Sequence, residues 1–317
     1  MNGPLAASAS TPVAATASTP VAPAASAPSA VPAVAPAAST PVAPPGAPLV
    51  PPPPQSPWFP ASPCTPRCAR PEAPPVHPLV TARRYAVFGQ VVAGALASPA
   101  ATRDGLAVRD RARALLDSLG VRLDAGDTPL SVAGTGTLVV ADHISWLDIV
   151  ALLACEPVTL VAKREVGRWP VVGPLARRVD TCFIDRGSLR ALPRAVGRVR
   201  EFLAAGRTVA VFPQGTTWCS AAGGAFRRAM FQAAIDARVP VRPVTLGYHQ
   251  HGRPTSVAGF LGDEGFVPSL HRVATAGGLS VRVRAHAPLA TGPGTDRRDL
   301  AAAAEESVFR DQPRRHG

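Results

Sequence analysis

Beyond Thr81, short β-branched runs alternate with segments of helical apolar spacing. Thr137–Ala141, Val158–Ala162, Cys182–Asp185, Thr208–Phe212, Val241–Leu246 and Leu279–Arg284 predict strands. Trp146–Ala154, Leu189–Ala204, Phe226–Ala237 and Asp296–Phe309 predict helices. Gly206 stands between a helical pattern and the next strand, where a helix is expected to stop. This alternation predicts an α/β domain with a largely parallel sheet flanked by helices. Ligands of such sheets collect at the carboxyl ends of the strands, so the residues after each strand are the ones to read for chemistry.

Two further helices are expected ahead of the sheet, over about residues 81–119. Arg83–Leu96 is an apolar segment with a cationic start. In Asp104–Leu119, Val108, Ala112, Leu115 and Leu119 form a stripe that avoids Arg109, Arg111 and Arg113. An apolar helix beside a basic amphipathic one suits a bilayer interface bearing anionic headgroups. The ordinary alternative is a helical hairpin packed on the domain. The charge-free stretch Tyr85–Thr102 is too diluted by Gly, Ala and Gln90 to predict a membrane span.

Composition divides the chain. Residues 1–78 hold 23 of the 37 prolines, and the pentapeptide Ser-Thr-Pro-Val-Ala recurs from Ser10, Ser18 and Ser39. With so little large apolar surface, burial cannot offset the ordering entropy, and a disordered tail over 1–78 is expected before one domain over 79–317. The prolines and the missing basic start also make a poor signal peptide. Met1 and Met230 are the two methionines, and translation starting near Val80 at a non-AUG codon is an expectation consistent with the composition break.

The net charge of +12 raises the possibility of a nucleic-acid partner. The arginines are scattered through helical patterns and no helix-turn-helix, ribonucleoprotein or zinc signature accompanies them, so no nucleic acid is expected. The five cysteines are odd in number and lack metal-ligand spacing, which predicts a reduced cytosolic setting and no metal. His249-Gln-His251 lacks a completing ligand and reads as a surface loop.

The first strand is followed by His143-Ile-Ser-Trp-Leu-Asp148. On a straight helix residues five apart point about 140° from each other, so the pair meets only if His143 sits in the turn and Asp148 in the first helical turn. Asp148 would then accept from Nδ1–H and leave Nε2 as a general base. The competing reading is a helix-capping pair, Ser145-x-x-Asp148. No Gly-x-Ser-x-Gly nucleophile is present, so the nucleophile is expected to be a substrate hydroxyl. Later strand ends carry Phe183-Ile-Asp-Arg186, Phe212-Pro-Gln-Gly-Thr-Thr217 with Phe226-Arg-Arg beyond, and Val239-Pro-Val-Arg-Pro-Val244. Arginine suits phosphate oxygens, and Gly215 permits close backbone approach.

This ordered set resembles the glycerophospholipid acyltransferase family, whose best-known members are the lysophosphatidate acyltransferases. The resemblance covers about Arg83 to Leu300. It implies that His143, oriented by Asp148, deprotonates a glycerol hydroxyl of a lysophospholipid acceptor. That hydroxyl then attacks an acyl thioester on coenzyme A or acyl carrier protein, with no cofactor and no metal. It further implies substrate-binding roles for Arg186, Gln214, Gly215, Thr216 and Arg227, with Arg186 on the acceptor's phosphate. The N-terminal helices would lie on an anionic membrane surface, at the cytoplasmic face, peripherally or as a monotopic anchor.

Two departures bear on the acceptor. The glutamate of the family's Phe-Pro-Glu-Gly-Thr block is Gln214 here, which opens the alternative of a lipid-binding relative with low activity. Many members carry arginine where this chain has Thr217, whereas some relatives that acylate lyso-ornithine lipids also have threonine. Lyso-ornithine lipid is therefore the alternative acceptor to 1-acylglycerol-3-phosphate. Asp142 stands where an amide is usual.

Overall fold

The computed structural model describes residues 60–98, 105–185, 188–219 and 223–310. The helices are α1 Pro78–Ala97, α2 Gly105–Ser118, α3 Leu147–Cys155, α4 Val172–Arg178, α5 Leu192–Ala204, α6 Ala229–Ala237, α7 Phe266–Thr275 and α8 Arg297–Phe309. The strands are β1 Arg122–Ala125, β2 Thr137–Ala141, β3 Thr159–Lys163, β4 Cys182–Ile184, β5 Thr208–Val211, β6 Val241–Gln250, β7 Arg253–Pro254 and β8 Leu279–Ala285. Along the sheet the order is β1-β8-β6-β2-β5-β3-β4, with β7 paired to β6. Every pairing on this path is parallel except β6 with β8.

The central strands are hydrophobic because both sheet faces are covered. In β2, Val139 and Ala141 join the core under α2, α3 and α7, while Leu138 and Val140 join the core under α5, α6 and α8. Removing one of these valine or leucine side chains from water contributes about 1.5–3 kcal/mol. Helix α5 tolerates Pro193 because a first-turn N–H has no intrahelical acceptor to lose. It ends as its glycine predicts: Gly206 is left-handed at φ 79°, its N–H donates to Leu203 O, and Arg207 N–H donates to Phe202 O.

Four elements lie outside the sequence expectations, among them the two-residue β7, too short to show a pattern. β1 is polar and exposed, and the pairing of Asp124 with Arg282 beside its parallel register with β8 holds it. α4 has seven residues, too few for a visible periodicity. α7 contains Pro268, which reads as a breaker but sits in the first turn, where it is tolerated. His249 and Gln250, expected in a surface loop, are instead the last residues of β6.

The compositional boundary at residue 78 is not the packing boundary. Residues 1–59 lie outside the described residues, but the segment from Pro60 packs on the domain. Cys64 and Ala69 are buried with Leu261, Ser256 Oγ donates to the Cys68 carbonyl at 2.6 Å, and Glu72 N–H donates to Gln250 Oε1 at 2.8 Å. A few small buried groups and backbone hydrogen bonds hold this proline-rich stretch, and hydropathy does not register them.

Helices α1 and α2 pack against each other, and α1 also touches α4 and α7. Arg84 donates to the Ala274 and Ala276 carbonyls at 2.8 Å, and Tyr85 Oη lies 2.8 Å from His271 Nδ1. Among the described residues no helix is long and apolar enough to cross a membrane. Leu79, Val80 and Leu106 are exposed on these two helices, as is Val267 on α7.

Candidate active site

The site is assembled from the carboxyl ends of three adjacent parallel strands, β6, β2 and β5. After β2 the chain turns through His143–Trp146 into α3, whose first turn carries Asp148. Asp148 is wholly buried, and its Oδ2 accepts from His143 Nδ1 at 2.8 Å, Ile144 N–H at 2.7 Å and Ser145 N–H at 2.8 Å. Ser145 Oγ in turn accepts from Leu147 N–H at 3.2 Å. The capping and histidine-orienting readings of the motif are therefore the same structure. One carboxylate closes the turn, holds the imidazole, and gains from the positive end of α3.

Neighbouring strands fix the rest. From β5, Phe212 stacks on the His143 ring with centroids 4.0 Å apart. Buried Gln214 reads both sides of the site. Its Oε1 accepts from His143 N–H at 2.8 Å, and its Nε2 donates to the Gly223 carbonyl at 2.7 Å. From β6, Tyr248 Oη donates to Asp148 Oδ1 at 2.6 Å. Burial first, and then the Asp148 charge, hold the Tyr248 phenol well above the usual tyrosine value, so it remains a donor. Asp142, fully buried, accepts from Leu246 N–H at 2.8 Å and extends the β2–β6 junction. With Nδ1 committed to Asp148, Nε2 is the ring nitrogen open to a substrate, and the His143 side chain is 17% exposed.

Of the expected binding residues, Gly215 occupies the tight turn after β5 at φ 77°, where a Cβ would also strike Pro60. Thr216 is half-buried beside it. Arg227 has an exposed side chain near Gly215, and its N–H donates to the Pro213 carbonyl at 3.0 Å. Thr217, in place of the family's arginine, donates its hydroxyl to the Phe260 carbonyl. Arg186 lies outside the described residues. Trp146 packs edge-on against Phe266 and donates to Ser269 Oγ at 3.2 Å. Tyr248 escaped the sequence reading. Its position on the inner face of β6 reads as core, and what distinguishes it is its partner 100 residues away.

Away from His143, a cavity of about 810 Å³ follows the edge strand β4. Arg164, Arg177, Arg194, Arg198 and Arg207 line it with Phe183 and Phe202, against Asp180 and Asp185.

The family model described as Acyltransferase matches residues 125–247. The 1-acyl-sn-glycerol-3-phosphate acyltransferase of Neisseria meningitidis serogroup B is 33% identical over 202 residues, 64% of this chain and 79% of that protein. The lyso-ornithine lipid O-acyltransferase of Pseudomonas aeruginosa is 37% identical over 172 residues, 54% of this chain and 66% of that one. Among solved structures, the 1-acyl-sn-glycerophosphate acyltransferase PlsC of Thermotoga maritima aligns with a TM-score of 0.54 at 20% identity. That alignment covers 73% of this chain and 92% of PlsC. At that identity what is shared is the fold.

Proposed function

The chain belongs to the acyltransferase family and is an O-acyltransferase, and we propose that it moves a fatty acyl group from an acyl thioester to the free hydroxyl of a lysophospholipid. The observation that carries this reading is the His143–Asp148 pair, locked by Tyr248 and by the turn N–H groups with Nε2 left open. The acceptor hydroxyl gives its proton to Nε2 as its oxygen attacks the thioester carbonyl carbon. The tetrahedral intermediate then collapses, the C–S bond breaks, and the thiolate takes the proton back from the imidazolium. Asp148 keeps Nδ1 protonated and stabilises the transient imidazolium.

1-Acylglycerol-3-phosphate is the first acceptor, supported by the Neisseria relative. Lyso-ornithine lipid is the second, favoured by Thr217 and by the Pseudomonas relative. The arginines along β4 suit the phosphates of a coenzyme A or carrier-protein donor. Three strand spacings separate β4 from β2, roughly 15 Å at about 4.8 Å each, a span a pantetheine arm can bridge. Exposed Leu79, Val80 and Leu106 on α1 and α2, with exposed Arg83 and Arg113, support attachment to an anionic membrane surface.

His143→Ala should abolish acyl transfer from labelled acyl-CoA while circular dichroism and the melting temperature stay near wild type. Full activity in that variant would sink the mechanism. A parallel panel of lysophosphatidate and lyso-ornithine lipid decides the acceptor.

A further inference from the structure

Three thiols that look unrelated in the sequence converge beside the active-site loop. Cys64 and Cys68 belong to the docked segment ahead of α1, and Cys219 follows Trp218, whose N–H donates to the His143 carbonyl at 2.8 Å. The three Sγ atoms lie within 4.8 Å of one another, with those of Cys64 and Cys219 3.4 Å apart. A tetrahedral ion with sulfur ligands at about 2.3 Å spaces those ligands about 3.8 Å apart, inside the range these sulfurs occupy. A disulfide would need about 2.05 Å.

The surroundings fit an ion as well. Cys64 is buried with Ala69 and Leu261, and Trp218 packs against the cluster, while Cys68 and Cys219 are half-buried and leave a route in. Cys219 N–H points at Cys64 Sγ at 3.4 Å, the kind of backbone donor that steadies a metal thiolate. Three thiolates this close need a cation between them before all can ionise. The segment is also placed without any ion, through Ser256 to the Cys68 carbonyl and the Arg70 N–H, so the site is preformed.

We propose that Cys64, Cys68 and Cys219 bind a soft, thiophilic divalent cation of the zinc class, with water in the fourth position. The ion takes no part in acyl transfer. It staples residues 60–70 to the loop that follows Thr217 and so steadies the wall of the site at Gly215 and His143. This is independent of the acceptor and of the catalytic reading above.

The test is metal content. The full chain, expressed with added zinc and purified under reducing conditions, should retain stoichiometric zinc through desalting, read by plasma mass spectrometry. Cys68→Ser should lose it. Chelation of the wild type should speed alkylation of Cys64, Cys68 and Cys219 and leave Cys155 and Cys182 unchanged, read by peptide mass mapping. Should Cys68→Ser fail to fold, wild-type stoichiometry and chelator-dependent alkylation decide alone. Zinc at background, alkylation indifferent to chelator, or a Cys64–Cys219 disulfide in the purified chain would each overturn the proposal.

Discussion

Replacing Gln214 by glutamate restores the residue of the family's block, and the structure gives a reason to expect harm from it. The amide is matched at both ends, accepting from His143 N–H and donating to the Gly223 carbonyl, and it is only 3% exposed. A carboxylate in its place can still accept, but its second oxygen would face the Gly223 oxygen at 2.7 Å with no donor between them. Burial and that facing dipole both favour the protonated form, which can donate to Gly223 as the amide does. A rise of about two units over the free value of about 4.3 costs ~3 kcal/mol of folding free energy once the pH exceeds the raised value. The sign follows from linkage. The folded state holds the proton more tightly, so the penalty is absent below about pH 4.3 and grows as pH rises through the raised value. Urea unfolding of wild type and Gln214→Glu at pH 4.5 and pH 8 measures it. The expected stability difference is about 3 kcal/mol at pH 8 and under about 1 at pH 4.5, with no gain in acyl-transfer rate. Equal stability at pH 8, or a deficit that ignores pH, would refute the reasoning. A faster variant of unchanged stability would mark Gln214 as a degenerate catalytic position.

Tyr248→Phe removes the donor to Asp148 Oδ1 and should cost about 1.5–3 kcal/mol in urea unfolding. It should also lower kcat with little change in KM, because the phenol positions Asp148 and does not touch substrate. Since folding raises the Tyr248 value, its contribution is fully present below about pH 10 and lost as pH rises beyond, so stability should fall on the alkaline side. Arg272 pairs with Glu264 and donates to the Val257 and Gly259 carbonyls, clamping the loop whose Phe260 N–H donates to the Ile144 carbonyl. Arg272→Ala leaves Glu264 buried and unpaired and should cost about 3–5 kcal/mol, seen as a lowered denaturation midpoint.

What the sequence determined by itself is local. The strands β2, β3, β4, β5, β6 and β8 were legible because each is a short run rich in β-branched residues set between helical patterns, and α5 because its apolar stripe and Gly206 are written in consecutive residues. The His143–Asp148 pairing was legible for the same reason, since a five-residue turn closes it. What the tertiary structure decided is whatever depends on which strands lie side by side. Pairing β2 between β5 and β6 brings Phe212, Gln214 and Tyr248 to His143 and Asp148, and no spacing along the chain encodes that adjacency. It also assigned Gln214 a cross-link where the sequence allowed a lost carboxylate. The thiols are the extreme case, with Cys219 meeting Cys64 across 155 residues. Hydropathy follows side-chain burial over a few residues, whereas docking a polar segment such as 60–77 rests on backbone hydrogen bonds and a few small buried groups.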